Sequence, residues 1–128
     1  MNARLASPKA RAAMPTGFAF GDAAQPNEMD LRRVVRALAR RARYRYVTPW
    51  VEPCATGYRV MSPCCSRRVA PDGGMIDIAW IEFERERGLW RLHSRNHDDE
   101  RWCFYKEWHG LGQLLDCLNE DAEHTFWP

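Results

Sequence analysis

The sequence contains no long apolar run, because no segment approaches the roughly 20 residues that a membrane-spanning helix requires. Arg4, Lys9 and Arg11 give the beginning of the chain positive charge, but no apolar segment follows them, which argues against a secretory signal. The first 21 residues also lack acidic side chains, a composition shared by transit peptides and flexible basic arms. We expect a cytoplasmic protein that does not interact with a membrane.

Lysine is scarce: Lys9 and Lys106 are the only two, so the positive charge is almost entirely arginine. The net charge of +2 conceals an asymmetry, with 13 basic and 4 acidic side chains in residues 1–70 but 6 and 13 in residues 71–128. Such asymmetry indicates a basic binding surface. Two alternatives to such a surface remain open: the halves neutralise each other within one fold, or the basic face of one copy meets the acidic face of another. The choice of arginine over lysine is also compatible with amino-acid usage alone.

Motifs for phosphate binding and catalysis are also missing. Gly73-Gly74 precedes an alternating apolar run and is typical of a turn, so the chain has no glycine-rich phosphate loop. Cys64 or Cys65 could act as a nucleophile with a distant histidine and the acids of residues 98–100, but no spacing favours such a set. We predict that the protein is not an enzyme.

The cysteines lack the C-x₂₋₄-C spacing of structural zinc sites. The closest pair is Cys64-Cys65, and adjacent strand residues point to opposite faces, although in a loop both could reach one ion. Cys54 and Cys64 flank a predicted strand that would hold them roughly 20 Å apart. We predict unpaired thiols, no metal ion and no cofactor. The side chains considered as ligands are Cys54, Cys64, Cys65, Cys103, Cys117, His93, His97, His109 and His124.

The stretch from Gly73 to Trp108 contains three aromatic-rich runs with period-two alternation, which is typical of half-buried strands. The charged gaps Glu84–Gly88 and Asn96–Glu100 are short enough to be hairpin loops. The three runs therefore predict an antiparallel meander. Its alternation places Ile76, Ile78 and Trp80 on one side and Asp77, Ala79 and Ile81 on the other. In the later runs, Trp90 and Leu92 alternate with Arg91 and His93, and Trp102 and Phe104 alternate with Cys103 and Tyr105.

Two segments have the apolar spacing of amphipathic helices. The first begins at Asn27, a good N-cap, and its predicted buried stripe comprises Leu31, Val34, Val35, Leu38 and Ala42. The second ends near Asn119, and its stripe comprises Leu111, Leu114, Leu115 and Leu118. In the tail after it, Phe126 and Trp127 could attach the end of the chain to the core.

Between the first helix and the meander, alternation predicts two further strands, Tyr44–Val51 and Gly57–Ser62. Pro49 removes a ladder donor, so the first should be an edge strand or bent. The fold class is therefore α+β: an N-terminal helix, a five-stranded bent antiparallel sheet or small barrel, and a C-terminal helix. We expect residues 1–25 to be a flexible tail and residues 26–128 to form a single domain.

The first helix presents a face made almost wholly of arginine. Guanidinium groups bind phosphates bidentately, and nearby Tyr44, Tyr46 and Trp50 offer stacking surfaces, so we predict binding of RNA or another single-stranded nucleic acid. The alternatives are a solvated helix face and a protein-interaction or self-assembling module, in which free sheet edges join copies into a homo-oligomer. The predicted contact residues are Arg32, Arg33, Arg36, Arg40, Arg43 and Arg45.

The order of one helix followed by five short strands resembles that of the Sm-like RNA-binding proteins, which are small bent barrels. Tyr105-Lys106 is similar to a Tyr-Lys pair that this family carries near its RNA pore, which implies a contact by Lys106, although Glu107 stands where the family has histidine. The segments at residues 62–82, 88–97 and 124–128 resemble a family of small proteobacterial proteins of unknown function, a resemblance that implies no activity.

Overall fold

The computed structural model describes residues 24–41, 47–63 and 74–127. Within these ranges the chain forms two helices and five strands, in the predicted order of helix, sheet and helix. The elements are α1 (Glu28–Leu38), β1 (Trp50–Cys54), β2 (Gly57–Pro63), β3 (Met75–Glu84), β4 (Leu89–Asn96), β5 (Arg101–Trp108) and α2 (Leu111–Glu120).

Helix α1 begins where the sequence predicts, because the side chain of Asn27 accepts a hydrogen bond from the backbone N–H of Asp30 at 2.8 Å. It ends at Leu38, earlier than the predicted stripe through Ala42 requires. The expected burial of Val35 is wrong, since 51% of this residue is exposed. The buried side of α1 is formed by Val34, Ala37 and Leu38, and Val35 lies outside it.

The strands form one antiparallel sheet in the order β1-β2-β3-β4-β5. Among the described strands β1 and β5 are the two edges and do not pair, so the sheet is open and the predicted barrel alternative is wrong. Strand β1 begins at Trp50, after residues 47–49, which are not in a strand, and the part of the predicted strand on Tyr44–Tyr46 lies outside the described residues. It includes Pro53, which an edge strand tolerates. Both hairpins of the meander lie in the predicted gaps, with turns at residues 85–88 and 97–100.

Two β-bulges change which face of the sheet certain side chains occupy. On β3, Val60 pairs with Ala79 and Met61 with Asp77, so Ile78 is an additional residue opposite β2. Trp80 therefore lies on the same face as Asp77, not with Ile76 and Ile78 as strict alternation predicts. On β5, a second register shift leaves Tyr105 without a partner on β4.

Both helices pack on one face of the sheet, which we call the inner face. Helix α1 contacts α2 and β1, and α2 contacts β4 and β5. The core includes the four leucines predicted for α2, and both Phe126 and Trp127 are buried against it as the sequence indicates. Asn119 links the helices by donating a hydrogen bond to the carbonyl of Ala37 at 2.8 Å. Neither described helix is long and apolar enough to cross a membrane.

Candidate functional site

Four of the predicted contact residues lie together on the solvent side of α1 and the turn that follows it. Arg32, Arg33, Arg36 and Arg40 are all exposed, and they alternate at helical spacing with the buried residues of the opposite side. We call these four residues the arginine face. Residues 28–41 contain five arginines and two carboxylates, a net charge of +3.

The ion pairs of the arginine face are confined to its own helix. Arg32 pairs with Glu28 at 3.3 Å and Arg33 with Asp30 at 2.9 Å. Among the described residues, Arg36 and Arg40 form no ion pair, and Arg40 donates only to the Arg36 carbonyl at 3.5 Å. Two of the four guanidinium groups are therefore not neutralised by a carboxylate of the described chain.

Asp30 organises the beginning of the arginine face. Burial alone would raise the pKa of its carboxyl, but hydrogen bonds from Gln25, Asn27 and Arg33 outweigh this effect and hold the pKa below its ordinary value. The carboxylate stays ionised and fixes the position of the Arg33 side chain at one end of the face.

The remaining predicted contacts are not part of the arginine face. Arg43 and Arg45, with the stacking candidates Tyr44 and Tyr46, lie outside the described residues. Lys106 is on β5, the sheet edge opposite β1, and its ammonium group lies 5.6 Å from the Tyr105 ring. The basic residues predicted from the sequence as one binding surface therefore separate into two places.

Arg41 immediately follows the arginine face but is buried, a role that sequence reasoning missed. Its guanidinium donates hydrogen bonds to the carbonyls of Leu38 at 2.8 Å and Val47 at 2.5 Å. It also lies 4.6 Å from the centroid of the Trp127 ring. Burial lowers the pKa of Arg41. Arg41 therefore stabilises the fold and is not available to a partner.

A second surface lies on the other side of the sheet, which we call the outer face. Its central feature is a row of side chains that crosses all five strands, because each residue is the register partner of the next. We call this the outer row, and it comprises Glu52, Arg59, Trp80, His93 and Phe104. Trp102, on β5, extends it through a ring contact with Trp80.

The rings of the outer row contact one another in sequence across β3, β4 and β5. The His93 imidazole stacks on the Trp80 indole with centroids 4.2 Å apart and planes 21° apart. On its other side His93 contacts Phe104 edge-on at 5.8 Å, and Trp80 contacts Trp102 at 6.1 Å. A hydrogen bond of 2.9 Å joins His93 Nε2 to the Glu82 carboxylate and fixes the orientation of the imidazole.

Basic and acidic groups alternate around these rings. Arg59 pairs with Asp77 at 2.7 Å and with Glu52 at 3.3 Å. Arg95 pairs with Asp77 at 3.5 Å and lies 5.1 Å from the Trp102 ring centroid. A further arginine, Arg91, pairs with Glu82 and Glu107 and lies over Phe104. The outer face is therefore aromatic but close to electrically neutral, in contrast to the arginine face.

A pocket of about 250 Å³ opens beside Arg59 and Trp80 of the outer row. The indoles of Trp80 and Trp102 form its aromatic walls, and the Arg59 side chain lies at its rim. Cys54 at the end of β1 and the turn residues Ala55 and Thr56 complete the lining.

Sequence reasoning missed the outer face because the bulge at Ile78 moves Trp80 onto it. The signal available in the sequence was the alternation of Arg91, His93 and Arg95 on β4, which predicts one polar face. A strand with arginine and histidine on one face, between two neighbouring strands that contain tryptophan, indicates a surface of aromatic and charged side chains.

The candidate metal ligands fall partly within the described ranges. There, no group of three His, Cys, Asp or Glu side chains is arranged to hold an ion. Cys54, Cys103 and Cys117 are unpaired thiols, and burial raises the pKa of Cys117. Cys64 and Cys65 lie outside the described residues.

Comparison with known proteins gives a family but no activity. No curated protein and no solved structure matches the chain. A family model described as a domain of unknown function, DUF3024, matches residues 22–128. This range contains both helices, all five strands, the arginine face and the outer row. The chain therefore belongs to the DUF3024 family.

Proposed function

We propose that this domain is a non-catalytic module that binds RNA or another single-stranded nucleic acid through the arginine face of α1. Within the described residues, no carboxylate of residues 71–128 forms an ion pair with these arginines. This observation carries the proposal. Guanidinium groups that no carboxylate neutralises attract the phosphates of a nucleic acid. Contact then releases the counterions that were associated with those phosphates.

The distribution of ion pairs supports this proposal. The carboxylates of residues 71–128 pair with arginines of the sheet. Arg59–Asp77 is an ion pair there between an arginine of residues 1–70 and a carboxylate of residues 71–128. Within the part of the chain that the structure describes, no carboxylate of residues 71–128 pairs with an arginine of α1. Arg36 in the last turn of α1 and Arg40 in the turn that follows it supply two exposed guanidinium groups.

The test is a titration of a labelled single-stranded RNA with the protein at several salt concentrations. The affinity should fall as salt increases, with a slope near −0.7 for each phosphate contacted on a single strand. The double substitution Arg36→Glu and Arg40→Glu should weaken binding about tenfold or more and reduce the slope by about 1.4. Both side chains are exposed, so the far-ultraviolet circular dichroism spectrum should not change.

The matched control is Arg85→Glu with Arg101→Glu, which changes net charge equally at exposed positions in the hairpins of the sheet. If attraction is specific to the arginine face, this variant should retain most of the affinity and most of the slope. Equal losses of affinity in the two variants would mean that binding depends on net charge and not on the arginine face. Salt-independent binding, or none, would contradict the proposal.

Self-association through the sheet edges is the second candidate. Trp50 on β1 and Phe104 on β5 are 59% and 50% exposed, and both edge strands have backbone groups that a further strand can pair. The test is sedimentation without nucleic acid. A mass that is a multiple of 15.0 kDa and returns to 15.0 kDa on Phe104→Lys or Trp50→Lys supports assembly, whereas a constant 15.0 kDa contradicts it.

A further inference from the structure

We propose that the pocket beside Arg59 and Trp80 of the outer row binds one heteroaromatic ring system of the nucleobase kind. This inference goes beyond the proposed function, because the pocket lies on the outer face of the sheet and α1 packs on the inner face. The ring could belong to a free nucleoside or to an unstacked base of a strand, and the same chemistry would recognise both.

The size of the pocket limits the ligand to one ring system. Its volume of about 250 Å³ is below the roughly 300–1,000 Å³ of pockets that enclose drug-sized ligands. The walls are the indoles of Trp80 and Trp102, whose planes are 58° apart. Two tilted aromatic surfaces form a wedge in which a flat ring can stack on one indole and meet the other at its edge.

The aromatic walls are held in place before any ligand arrives. His93 stacks on Trp80, and Glu82 in turn fixes His93 through its hydrogen bond at 2.9 Å. Arg95 lies over Trp102 and is itself paired with Asp77. Walls that are already ordered lose little conformational entropy on binding, which favours a small ligand with few contacts.

Arg59 supplies donors at the rim of the pocket, and its two ion-pair partners are carboxylates adjacent to the lining. Arg59 donates through Nε to Asp77 and through Nη1 to Glu52, and its Nη2 group makes no hydrogen bond with any described residue. Asp77 and Glu52 are carboxylate acceptors beside it. The edge of a nucleobase also carries donors and acceptors together, whereas a hydrocarbon ring carries neither.

Charge decides against a phosphate as the group recognised here. Arg59 and Arg95 are both paired with carboxylates, so the rim has little net positive charge. A phosphate would meet Asp77 and Glu52 as repelling neighbours, while an uncharged ring would not. The pocket therefore differs in its ligand chemistry from the arginine face.

The experiment uses the full chain labelled with ¹⁵N, in which each of the six tryptophans gives one indole N–H signal. Single Trp→Phe variants assign the signals, and adenosine or cytidine is then added to millimolar concentration. The signals of Trp80 and Trp102 should move, whereas those of buried Trp90 and Trp127 should not. Ribose and glucose are the matched controls, because they lack the planar ring.

Trp102→Ala should weaken nucleoside binding about 5- to 150-fold, the range expected for one lost stacking contact, and Trp102→Phe should retain part of the affinity. Trp102 is only partly buried at the edge strand, so an unchanged amide spectrum is expected for the remainder of the domain. The proposal is overturned if neither nucleosides nor a single-stranded oligonucleotide move the two signals. It is overturned equally if ribose or glucose moves them as much as adenosine does.

Two further measurements separate the sources of the ring and the two proposals. If Trp102→Ala weakens oligonucleotide binding as well, the ring is a base of a strand, and if only nucleoside binding weakens, the ligand is a free nucleoside. The variant with Arg36→Glu and Arg40→Glu should keep the adenosine shifts. If that variant loses salt-dependent RNA binding but keeps the adenosine shifts, the RNA affinity depends on the arginine face and nucleoside binding does not.

Discussion

The guanidinium of Arg41 lies 4.6 Å from the centroid of the Trp127 ring, so the turn after α1 and the end of the described chain hold each other in the core. The same guanidinium donates to the carbonyl of Leu38, and the Trp127 indole N–H donates to the carbonyl of Leu118 at 2.9 Å. Both partners are buried, which strengthens a cation–π contact relative to an exposed one. Trp127 is therefore a structural part of the domain.

Substitution of Trp127 by alanine should be far more damaging than the same change at Trp50. Trp127→Ala removes a side chain that is 1% exposed and should lower the free energy of unfolding by about 3–5 kcal/mol. Trp50→Ala removes the same side chain where it is 59% exposed and should cost less than about 1 kcal/mol. Urea denaturation followed by circular dichroism measures both. Equal losses would mean that the contacts of Trp127 contribute little.

Gly57 and Gly112 should respond in opposite directions to the same substitution. A Cβ atom at Gly57 would lie 1.9 Å from the backbone carbonyl oxygen of Ile81, so the β2–β3 contact must move, and Gly57→Ala should destabilise by about 1–3 kcal/mol or more. Gly112 is in α2, where an added methyl group would meet no atom within 4 Å, so Gly112→Ala should stabilise by about 0.5–1 kcal/mol. Thermal unfolding of the two variants checks the difference in sign, and destabilisation by Gly112→Ala would contradict it.

The parts of the fold that could be predicted depend on short-range patterns. Each of these patterns involves residues that are close in sequence. The N-cap at Asn27, the α2 stripe and both meander hairpins are examples, and all are confirmed. The predicted extent of the buried stripe of α1 and the predicted end of β1 at Val51 were wrong, because tertiary packing rather than local pattern decides them. Arg41, three residues after the end of α1, is buried, whereas Val35 within α1 is exposed, and neither follows from the helical repeat.

The outer face could not be predicted from the same patterns, because it depends on register. The outer row takes one residue from each of five strands, and the order of these residues follows only once every pairing is known. The bulge at Ile78 cannot be seen in a single strand, and it reverses the side on which Trp80 lies. The arginine face, in contrast, was visible as a helical repeat, although the confinement of its ion pairs to α1 was not.

Asp121 should be the critical polar residue of the C-terminal segment. Its buried carboxylate accepts hydrogen bonds from the backbone N–H groups of Thr125, Phe126 and Trp127, at distances from 2.7 to 3.2 Å. Asp121→Ala leaves these donors without their acceptor and should destabilise by about 2–4 kcal/mol in urea denaturation. Asp121→Asn keeps one acceptor oxygen and tolerates the positive φ of 41°, so it should lose less.

The control for this prediction is Glu120→Ala, which alters the preceding carboxylate at an exposed position of α2. It should change the free energy of unfolding by less than about 0.5 kcal/mol. The order of stability should therefore be wild type and Glu120→Ala, then Asp121→Asn, then Asp121→Ala. A neutral effect of Asp121→Ala would show that the C-terminal segment does not depend on these hydrogen bonds.

Tyr105 should make the fold sensitive to alkaline pH. Its hydroxyl donates to the Glu123 carboxylate at 2.5 Å, and this hydrogen bond, with smaller contributions from burial and nearby negative charge, raises the pKa of Tyr105 to about 12. The unfolded chain should ionise near the ordinary value of about 10. Because the folded pKa is the higher one, the stabilisation is present below pH 10 and is lost as pH rises from about 10 towards 12.

Two measurements test this sign. The absorbance of tyrosinate, compared between wild type and Tyr105→Phe, should show one tyrosine that ionises near pH 12, and Glu123→Gln should return this pKa towards 10 because the negative charge is removed. In urea denaturation, wild type should lose more stability between about pH 9 and pH 11 than Tyr105→Phe does, since the variant has no proton to lose at this position. A tyrosinate signal near pH 10 for Tyr105 in the folded protein would contradict the prediction. So would equal pH dependence in the two proteins.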